Sequence, residues 1–415
     1  MSRTVPTVQE HLASVLTEVT ATPTHLEQLS AAEGKTLAQD VRARLQVPPF
    51  TNSSMDGFAV RFDDVRGASE STPVALQVVG DIPAGVDIDP PLASGQAIRI
   101  MTGSPMPSAA DSIVPFEDTL EGLSDSLSTI SVAAAPKKLG SFVRHAGEDV
   151  GVDDVVLQAG TRLGPRQCAS LIATGVTHVS VATAPKVAIV STGSELVPAG
   201  HELQRGQIPD TNGQLLAGLA RDADAVVTRV VSVPDDEHTF RSVLSELLTE
   251  GTDVICFSGG VSAGAYEVVR NALSESGEMR FGPVAMQPGK PQGFGVSTSG
   301  CLLFGLPGNP VSSAVSFEAF VRPALLSMQG RTEIHRPRLR LPTTQAWSCP
   351  PGREQYVPVV IDHSDSNQWT VAPATVAHSA SHLIGTLGLA EALAIVPAST
   401  EHVQVGDLVD VVSLP

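Results

Sequence analysis

The chain has 415 residues, of which 42% are hydrophobic and 17% charged. One hydrophobic core does not normally serve so long a chain, so we expect two to four domains. The net charge of −18 excludes a nucleic-acid partner, because phosphate backbones are bound by clustered Lys and Arg. It does not exclude a small anionic ligand, which backbone N–H groups and one lysine can hold.

The cysteines and the N-terminus indicate the compartment. The four cysteines are far apart and form no Cys-x-x-Cys pair, so we predict neither a disulfide framework nor a zinc site. Met1 to Leu16 contain no apolar segment typical of a signal peptide. No apolar run approaches the length that spans a membrane. We therefore expect a cytoplasmic protein without a membrane partner.

Two helical patterns open the chain. Thr7 and Glu10 have the spacing of a capping box before an amphipathic run, which predicts a helix start. A second helical pattern runs from Leu26 to Ala38. Further on, Pro165 opens a helix that Gly175 ends, and a strand is predicted at Thr177–Val181. We assign residues 1–48 and 148–184 to one N-terminal linker domain; its further assignment as a dimerisation domain comes only from the family resemblance that other segments of the chain carry.

The segment between these two parts has a different pattern. From about Phe50 to Gly147, short alternating segments lie between Gly, Pro and Asp residues, which is typical of β structure. Residues 49–147 are therefore predicted to form a β-rich domain inserted into, or appended beside, the first. Its clearest strands are Val74–Val79, Ala97–Met101 and Ser112–Phe116.

Residues 185–330 alternate regularly between apolar strands and amphipathic helices. Strands that are apolar throughout are typical of a parallel sheet covered on both faces, so we predict a doubly wound α/β domain. The predicted strands are Val187–Ser191, Ala225–Val233, Asp253–Ser258 and Cys301–Leu306, and the helices are Asn212–Arg221, Asp236–Thr249, Tyr266–Ser276 and Pro310–Met328.

After Arg331 the pattern becomes β again. Residues 331–415 are predicted to form a small β-barrel or sandwich, so the fold class is multidomain α/β plus β. The predicted strands are Leu339–Pro342, Tyr356–Ile361, Trp369–Val371, Ala392–Val396 and Leu408–Leu414.

Polar and small residues follow the strands of the α/β domain, at the sheet edge where ligands bind. Ser191 to Glu195 are either a plain glycine turn or a ligand-binding loop in which Glu195 holds a metal or an amine. Asp235 and Asp236 follow the next strand along the chain. They either cap the following helix or hold Mg²⁺, which favours carboxylates and phosphate oxygens.

A glycine-rich segment, Ser258 to Gly264, joins a strand to a helix. Amides at a helix N-terminus bind anions, so Gly259, Gly260, Ser262 and Gly264 are candidates for a phosphate cradle. The segment also contains Gly-x-Ser-x-Gly, the pattern of a nucleophile elbow with Ser262 as nucleophile. A serine hydrolase is therefore the alternative.

The hydrolase alternative needs an acid and a histidine after the serine. Asp362 with His378 or His382 have that order. They lie in the β-rich C-terminal region rather than on the same sheet, which favours the phosphate cradle.

Two proline-containing turns complete the candidate site. In Leu306-Pro307-Gly308-Asn309-Pro310, Asn309 is a good N-cap and Pro310 a good first helical residue. In Gln287-Pro288-Gly289-Lys290-Pro291, the lysine is either solvated or a compact positive charge for a phosphate.

Taken in this order on one chain, the loops resemble the molybdopterin molybdenumtransferases, the family of the MoeA proteins and the gephyrin E domain. The N-terminal half contains three more segments similar to that family: Asn52–Ala59, Ile100–Gly103 and Arg144–Asp149. The resemblance covers nearly the whole chain, and the motif set is specific although each piece alone is weak.

The resemblance implies an activity. It implies insertion of molybdate into adenylylated molybdopterin (molybdopterin-AMP), with Mg²⁺ and release of AMP. It implies four domains in an elongated homodimer, with the active cleft between the α/β domain of one subunit and the N-terminal part of the other. The molybdopterin adenylyltransferase and molybdoenzymes are the protein partners that it implies.

The resemblance also implies roles for individual residues. Carboxylates among them need a cation between themselves and a phosphate. The catalytic candidates are Asp56, Thr102 and Asp149 from one subunit and Glu195, Asp235 and Lys290 from the other; the cofactor-binding candidates are Gly259, Gly260, Ser262, Gly264, Pro307, Gly308, Asn309, Arg353 and Ser379; the metal candidates are Glu195, Asp235, Asp236 and Glu267.

The sequence departs from the family's pattern at three positions. Ala265 stands where the family usually has an acidic residue, with Glu267 as the nearest carboxylate. Ser194 replaces the first acidic residue of the family's Ser-Thr-Gly-Asp-Glu-Leu, and Gln287 stands where a lysine is frequent. Fewer ligands for metal and anion predict a reduced activity, and a scaffold or carrier paralogue without turnover is the third hypothesis.

Overall fold

A computed structural model describes residues 5–122, 127–261, 268–275, 277–375 and 384–414. Every helix within these ranges is too short or too polar to span a bilayer. Several residues named above lie outside the described ranges: Ser262, Gly264, Ala265, Glu267, Ser379, His378 and His382.

The N-terminal helix, Val8–Thr17, begins with the predicted capping box. The Thr7 hydroxyl accepts a hydrogen bond from the Glu10 N–H at 3.1 Å, and the Glu10 carboxylate accepts one from the Thr7 N–H at 2.8 Å. Val8 and Val15 are buried in the core of the α/β domain. The start of the chain therefore packs on the domain that contains the candidate site.

The helix predicted for Leu26 to Ala38 is wrong. Thr24–Gln28 is a strand that pairs antiparallel with His178–Ala182, and only the short 3₁₀ turn Leu29–Ala31 follows it. The pairing partner lies about 150 residues away in the chain, so local periodicity carries no information about it. The helix Pro165–Ala173 is confirmed, and Gly175 follows it with a φ of +77°.

The inserted segment contains a five-stranded sheet. The Gly57–Val60 strand lies next to the edge strand Ser112–Pro115 and pairs antiparallel with both its neighbours. This confirms β structure in the insert. Its strands, in spatial order, are Ser112–Pro115, Gly57–Val60, Gln96–Ile100, Val74–Ile82 and Thr129–Val132, and smaller pairs join Val41–Arg42 to Val155–Leu157 and Asn52–Ser53 to Val143–Arg144.

A six-stranded central sheet forms the α/β domain. Its four predicted strands are parallel, whereas two strands that the sequence analysis missed extend it antiparallel at one edge. The sheet is therefore mixed, and its other edge strand is partly exposed rather than covered on both faces. The spatial order is Val226–Val233, Lys186–Thr192, Val254–Ser258, Leu302–Leu306, Pro291–Val296 and Met279–Pro283.

Helices cover both faces of this sheet, as a doubly wound domain requires. Asn212–Asp222 and the continuous helical stretch from Pro310 to Met328 pack on one face, and that stretch contains a π-helical turn at Phe317–Val321. Glu237–Thr249 and Val268–Glu275 pack on the opposite face.

The C-terminal strands form a small barrel. The ring of strands closes because Thr343, just after Arg338–Pro342, bridges to Val371 in Thr370–Pro373. The barrel joins the α/β domain where Met286–Gln287 pairs with the start of Glu354–Asp362. The remaining strands are Ala392–Val396 and Leu408–Ser413, with Trp347–Ser348 and His402–Val403 as a separate pair. This confirms the predicted barrel.

Candidate functional site

A cavity of about 700 Å³ lies at the carboxyl ends of the parallel strands. Loops from four strands and the start of the Asn212–Asp222 helix line it, and Ile384 of the C-terminal segment also contributes. The structure brings together here seven of the predicted site residues: Glu195, Asp235, Gly259, Gly260, Pro307, Gly308 and Asn309.

The glycine turn, Ser258–Val261, closely contacts the neighbouring strand. A Cβ on Gly259 would lie 2.6 Å from the Thr192 carbonyl oxygen, and one on Gly260 would lie 2.9 Å from Thr192 Oγ1. Both glycines also have positive φ, +92° and +64°, which side chains rarely tolerate. Glycine is therefore required at both positions, and the bare backbone of the turn borders the cavity.

Two residues that the sequence analysis missed fix these loops. Asn212 Nδ2 donates to Ser258 Oγ and to the Gly308 carbonyl oxygen, both at 2.7 Å. One amide therefore links the start of a helix to the glycine turn and to the proline turn, Leu306–Pro310. Our sequence reading used Asn212 only as a helix start.

Asp210 is the second of these residues. Its carboxylate accepts hydrogen bonds from Ser191 Oγ at 3.0 Å, Ser232 Oγ at 2.6 Å and the Gly213 N–H at 3.0 Å. It thereby joins two parallel strands to the helix start. The polar run Asp210-Thr211-Asn212 before an amphipathic helix is the signal that could have identified both residues.

Two polar atoms in the wall of the cavity lack a hydrogen-bond partner among the described residues. They are Thr192 Oγ1 and Asn212 Oδ1, and both are buried. The two residues are 6% and 8% exposed. Leaving a buried polar group unsatisfied costs about 1–3 kcal/mol, so the wall is suited to a ligand that supplies the missing bonds.

The acidic residues of the cavity have different surroundings. Ser194 and Asp235 exchange hydrogen bonds: the Ser194 N–H donates to Asp235 Oδ2 and the Asp235 N–H donates to Ser194 Oγ, each at 3.1 Å. Glu195 lies beside Gly193, where a Cβ would meet its carboxylate at 2.6 Å. Both carboxylates line the cavity.

Asp236 instead caps a helix. Its carboxylate accepts hydrogen bonds from Thr239 Oγ1 at 2.6 Å and the Thr239 N–H at 2.8 Å, and these bonds lower the pKa of Asp236. It is the N-cap of Glu237–Thr249. Of the two interpretations of this residue, the cap is the one observed. In the described ranges no three His, Cys, Asp or Glu side chains are grouped as a metal site.

Lys290 and Arg353, two of the predicted site residues, are not among the residues that line the cavity. Gln292 Nε2 holds the lysine turn by donating to the Gly289 carbonyl oxygen at 2.6 Å and to Ser316 Oγ at 2.7 Å. Lys290 is exposed, and the next residue, Pro291, lines the cavity. Arg353 Nη1 donates to Gln287 Oε1 at 3.2 Å, so the glutamine that replaces the family's lysine orients an arginine of the barrel.

The N-terminal candidates lie elsewhere. Asp56 Oδ1 accepts hydrogen bonds from the N–H and the hydroxyl of Thr102, both at 2.7 Å, and these bonds lower the pKa of Asp56. Asp149 is exposed, and its N–H donates to the Val47 carbonyl oxygen. Asp56, Thr102 and Asp149 are not among the residues that line the cavity of their own chain.

Asp56 and Thr102 belong to a second polar region, which we call the Asp56 patch: Asn52, Asp56, Thr102 and Ser104. Asn52 Oδ1 and Ser104 Oγ are buried and have no hydrogen-bond partner among the described residues. The Ser53 N–H donates to the Ser104 carbonyl oxygen, which holds the two segments side by side.

Asp362, the acid of the hydrolase alternative, is at the end of a barrel strand and does not line the cavity. Its carboxylate accepts a hydrogen bond from the Ser364 N–H at 2.8 Å. Ser262, His378 and His382 lie outside the described residues. The geometry therefore gives the nucleophile elbow no support.

Three family models together match most of the chain. Residues 6–175 match the family model of the MoeA N-terminal region (domain I and II), residues 188–327 that of a probable molybdopterin binding domain, and residues 340–414 that of the MoeA C-terminal region (domain IV).

Curated relatives and solved structures agree with these matches. The chain is 39% identical over 405 residues to molybdopterin molybdenumtransferase 2 of Mycobacterium tuberculosis, covering 96% of this chain and 97% of the relative. It is 33% identical over 396 residues to the molybdopterin molybdenumtransferase of a Nostoc species, covering 94% and 89%. The crystal structure of a molybdopterin biosynthesis moeA protein from Pyrococcus horikoshii OT3 is similar with a TM-score of 0.84 at 26% identity, covering 99% of this chain and 100% of that one.

Proposed function

The chain belongs to the MoeA family of molybdopterin molybdenumtransferases, and we propose that it inserts molybdenum into adenylylated molybdopterin and releases AMP. The observation that carries this proposal is the cavity at the strand ends, where glycine and proline turns meet two carboxylates. The serine hydrolase is not favoured, because the curated relatives reported above are transferases.

The bare turns fit the phosphates of this substrate. Gly259 and Gly260 have no side chain and line the cavity, so a ligand can lie against their backbone as in phosphate-binding turns. The Gly259 N–H donates to the Leu306 carbonyl oxygen, so Gly259 contributes space rather than a donor. Lys290 is exposed on the turn that precedes Pro291, a residue of the cavity wall, and Arg353 Nη1 donates to Gln287 of the same turn; neither cation lines the cavity itself. We assign the phosphate-binding role to Gly259, Gly260, Pro307, Gly308, Asn309 and these two cations, with Ser262, Gly264 and Ser379 as further candidates.

Mg²⁺ fits the acidic residues of the cavity. Mg²⁺ is usually bound by one or two carboxylates together with substrate phosphates and water, and Glu195 and Asp235 supply two carboxylates. When bound, it would neutralise charge on the phosphoanhydride. Glu195 and Asp235 would hold it, and the bonds from Ser194 orient Asp235 for that role. Asp236 is already used as a helix cap, and Glu267 remains a candidate.

We further propose that the active site is shared between two subunits of a homodimer. The support is that Asp56, Thr102 and Asp149 lie away from the cavity of their own chain, whereas the Asp56 patch has its own unpaired buried atoms. In a symmetric dimer the same pair of surfaces meets twice, so each patch would complete the partner's cavity. The adenylyltransferase that makes the substrate, and molybdoenzymes that accept the product in the cytoplasm, are the expected partners.

The test is turnover of purified molybdopterin-AMP with Mg²⁺ and molybdate. We expect AMP release and a product that activates a molybdenum-free molybdoenzyme. Binding without AMP release would leave only a scaffold or carrier role. Covalent labelling by a fluorophosphonate, together with no AMP release, would favour the hydrolase instead.

A further inference from the structure

We infer that Asn212 recognises a hydrogen-bond donor on the part of the ligand that is not phosphate, an N–H or O–H group of its heterocycle or sugar. The inference rests on the proposed function, since it assigns a role within the same cavity. It concerns a residue for which sequence patterns gave no ligand-binding role.

The orientation of the Asn212 amide is determined by its neighbours. The two ends of an amide are distinguished by what they contact. One end lies 2.7 Å from the Gly308 carbonyl oxygen and 2.7 Å from Ser258 Oγ. A carbonyl oxygen only accepts, so this end is the NH₂ group. Both of its donors are used, and Oδ1 lies at the opposite end.

Oδ1 is therefore a fixed acceptor without a donor. It is buried, and no hydrogen bond reaches it from the described residues. The helix start that carries it is held in place by the Asp210 carboxylate, which accepts from the Gly213 N–H at 3.0 Å. An acceptor that cannot turn away costs free energy until a donor arrives.

The need for a hydrogen-bond donor indicates which part of the ligand contacts Oδ1. Phosphate groups bridged in a phosphoanhydride present acceptor oxygens and no N–H, so they would repel Oδ1. Heterocyclic amines, ring N–H groups and sugar hydroxyls supply the donor. A site with a buried acceptor also discriminates strongly against ligand analogues that lack the donor. An apolar pocket discriminates between such analogues less.

Asn212→Ala removes both the Oδ1 acceptor and the two anchoring bonds, so a matched control is needed. Ser258→Ala removes one anchoring acceptor and leaves Oδ1 in place. Thr252→Val removes another buried unpaired hydroxyl that does not line the cavity. Thermal unfolding of each variant reports whether the fold persists.

The experiment measures the equilibrium binding of pyrophosphate, AMP and molybdopterin to the full chain. We expect Asn212→Ala to weaken AMP or molybdopterin about tenfold more than Ser258→Ala does, which corresponds to about 1.4 kcal/mol. In Asn212→Ala pyrophosphate should weaken by a smaller factor than AMP or molybdopterin, because only the anchoring bonds matter for it; in Ser258→Ala all three ligands should weaken by a similar factor, and Thr252→Val should bind like wild type. A loss for AMP alone places the donor on the nucleotide, and a loss for molybdopterin alone places it on the pterin.

Equal losses for all three ligands in Asn212→Ala, or no loss beyond that of Ser258→Ala, would overturn the inference. If Asn212→Ala does not fold, Asn212→Asp replaces it: the acceptor remains, so all three ligands should weaken by a similar factor, and selective weakening of AMP or molybdopterin would count against us. Wild-type protein that neither binds molybdopterin-AMP nor releases AMP would refute the proposed function itself, whatever the variants do.

Discussion

The cavity of the α/β domain and the Asp56 patch of the β-rich insert each contain a carboxylate held in place by hydrogen bonds to a neighbouring hydroxyl residue. The two regions differ in how these bonds are arranged. In the cavity, Ser194 and Asp235 exchange bonds between two loops. In the patch, both donors of Thr102 converge on one oxygen of Asp56. The cavity is concave and lined mainly by loops of one domain, whereas Asp56 and Thr102 are exposed.

Both regions contain buried polar atoms without a hydrogen-bond partner among the described residues. The described part of the chain has seven buried side-chain atoms without a hydrogen-bond partner, and four of them belong to Thr192, Asn212, Asn52 and Ser104. Native proteins leave few such atoms, and each calls for an explanation. Their concentration in two regions agrees with the proposal that a ligand shared between two subunits supplies the missing hydrogen bonds.

Complementation between two inactive variants gives the largest expected effect. We expect Asp56→Ala and Asp235→Ala each to lower kcat/KM for AMP release by about 10²–10³-fold, the scale of losing a group that stabilises charge in the reaction. If the site combines residues of two subunits, mixing the unfolded variants and refolding them together restores about a quarter of wild-type activity, because half of the dimers are mixed and each has one intact site.

Two controls sharpen this prediction. Mixing Asp235→Ala with Glu195→Ala, both in the cavity, should restore nothing. Recovery of activity in that mixture, or no recovery when Asp56→Ala is mixed with Asp235→Ala, would show that the two regions act within a single chain.

A charge cluster joins the N-terminal domain to the α/β domain. Asp224 accepts two hydrogen bonds from Arg162 of the N-terminal domain, each at 2.8 Å, and pairs with Arg331 before the barrel. Arg162 is about half exposed, whereas the Asp224 and Arg331 side chains are 22% and 8% exposed. Asp224→Ala therefore leaves a mostly buried Arg331 without its partner and should cost about 2 kcal/mol of the free energy of unfolding.

Denaturant unfolding measures this effect. The exposed pair Asp63–Arg66 is the matched control, and Asp63→Ala should change the free energy of unfolding by less than about 1 kcal/mol. Equal small effects in the two variants would mean that the cluster does not hold the domains together.

Alanine variants of Asp236 and of its neighbour Asp235 distinguish helix capping from ligand binding. Asp236→Ala removes the N-cap of Glu237–Thr249 and should lower the free energy of unfolding, with AMP release per folded molecule unchanged. Asp235→Ala should lower AMP release per folded molecule and leave the free energy of unfolding unchanged. A loss of Mn²⁺ affinity in Asp236→Ala, measured by electron paramagnetic resonance, would show that Asp236 also binds the metal.

The sequence predicted the regular part of the fold well. The central parallel strands and their helices follow from local apolar periodicity. The structure confirms them within one or two residues, except that both ends of the predicted Tyr266–Ser276 helix lie outside the described residues. The failures have a common cause. The Thr24–Gln28 strand is determined by pairing with a distant segment, and the antiparallel edge strands Met279–Pro283 and Pro291–Val296 are rich in Gly and Pro, which conceals β structure.

The candidate site was predicted unevenly for a similar reason. Glycines between a strand and a helix signal a phosphate cradle by type and position. Asn212 and Asp210 do not, because either residue is also an ordinary helix cap, and their roles depend on which loops they contact in space. The Asp56 patch had no local signal at all and was identified by family resemblance.

Thr102→Val gives the smallest effect and tests how the patch differs from the cavity. The bonds from the Thr102 N–H and hydroxyl lower the pKa of Asp56. Valine keeps the N–H bond and removes the hydroxyl bond, so the pKa should rise part of the way to its ordinary value. A carboxylate with a higher pKa becomes protonated at a higher pH, so the acid limb of the pH profile of AMP release should move upward by less than about one pH unit. Thr102→Ser, which keeps the hydroxyl, should retain the wild-type profile. If instead Thr102→Val loses activity equally at every pH, Thr102 acts on the substrate directly rather than through Asp56.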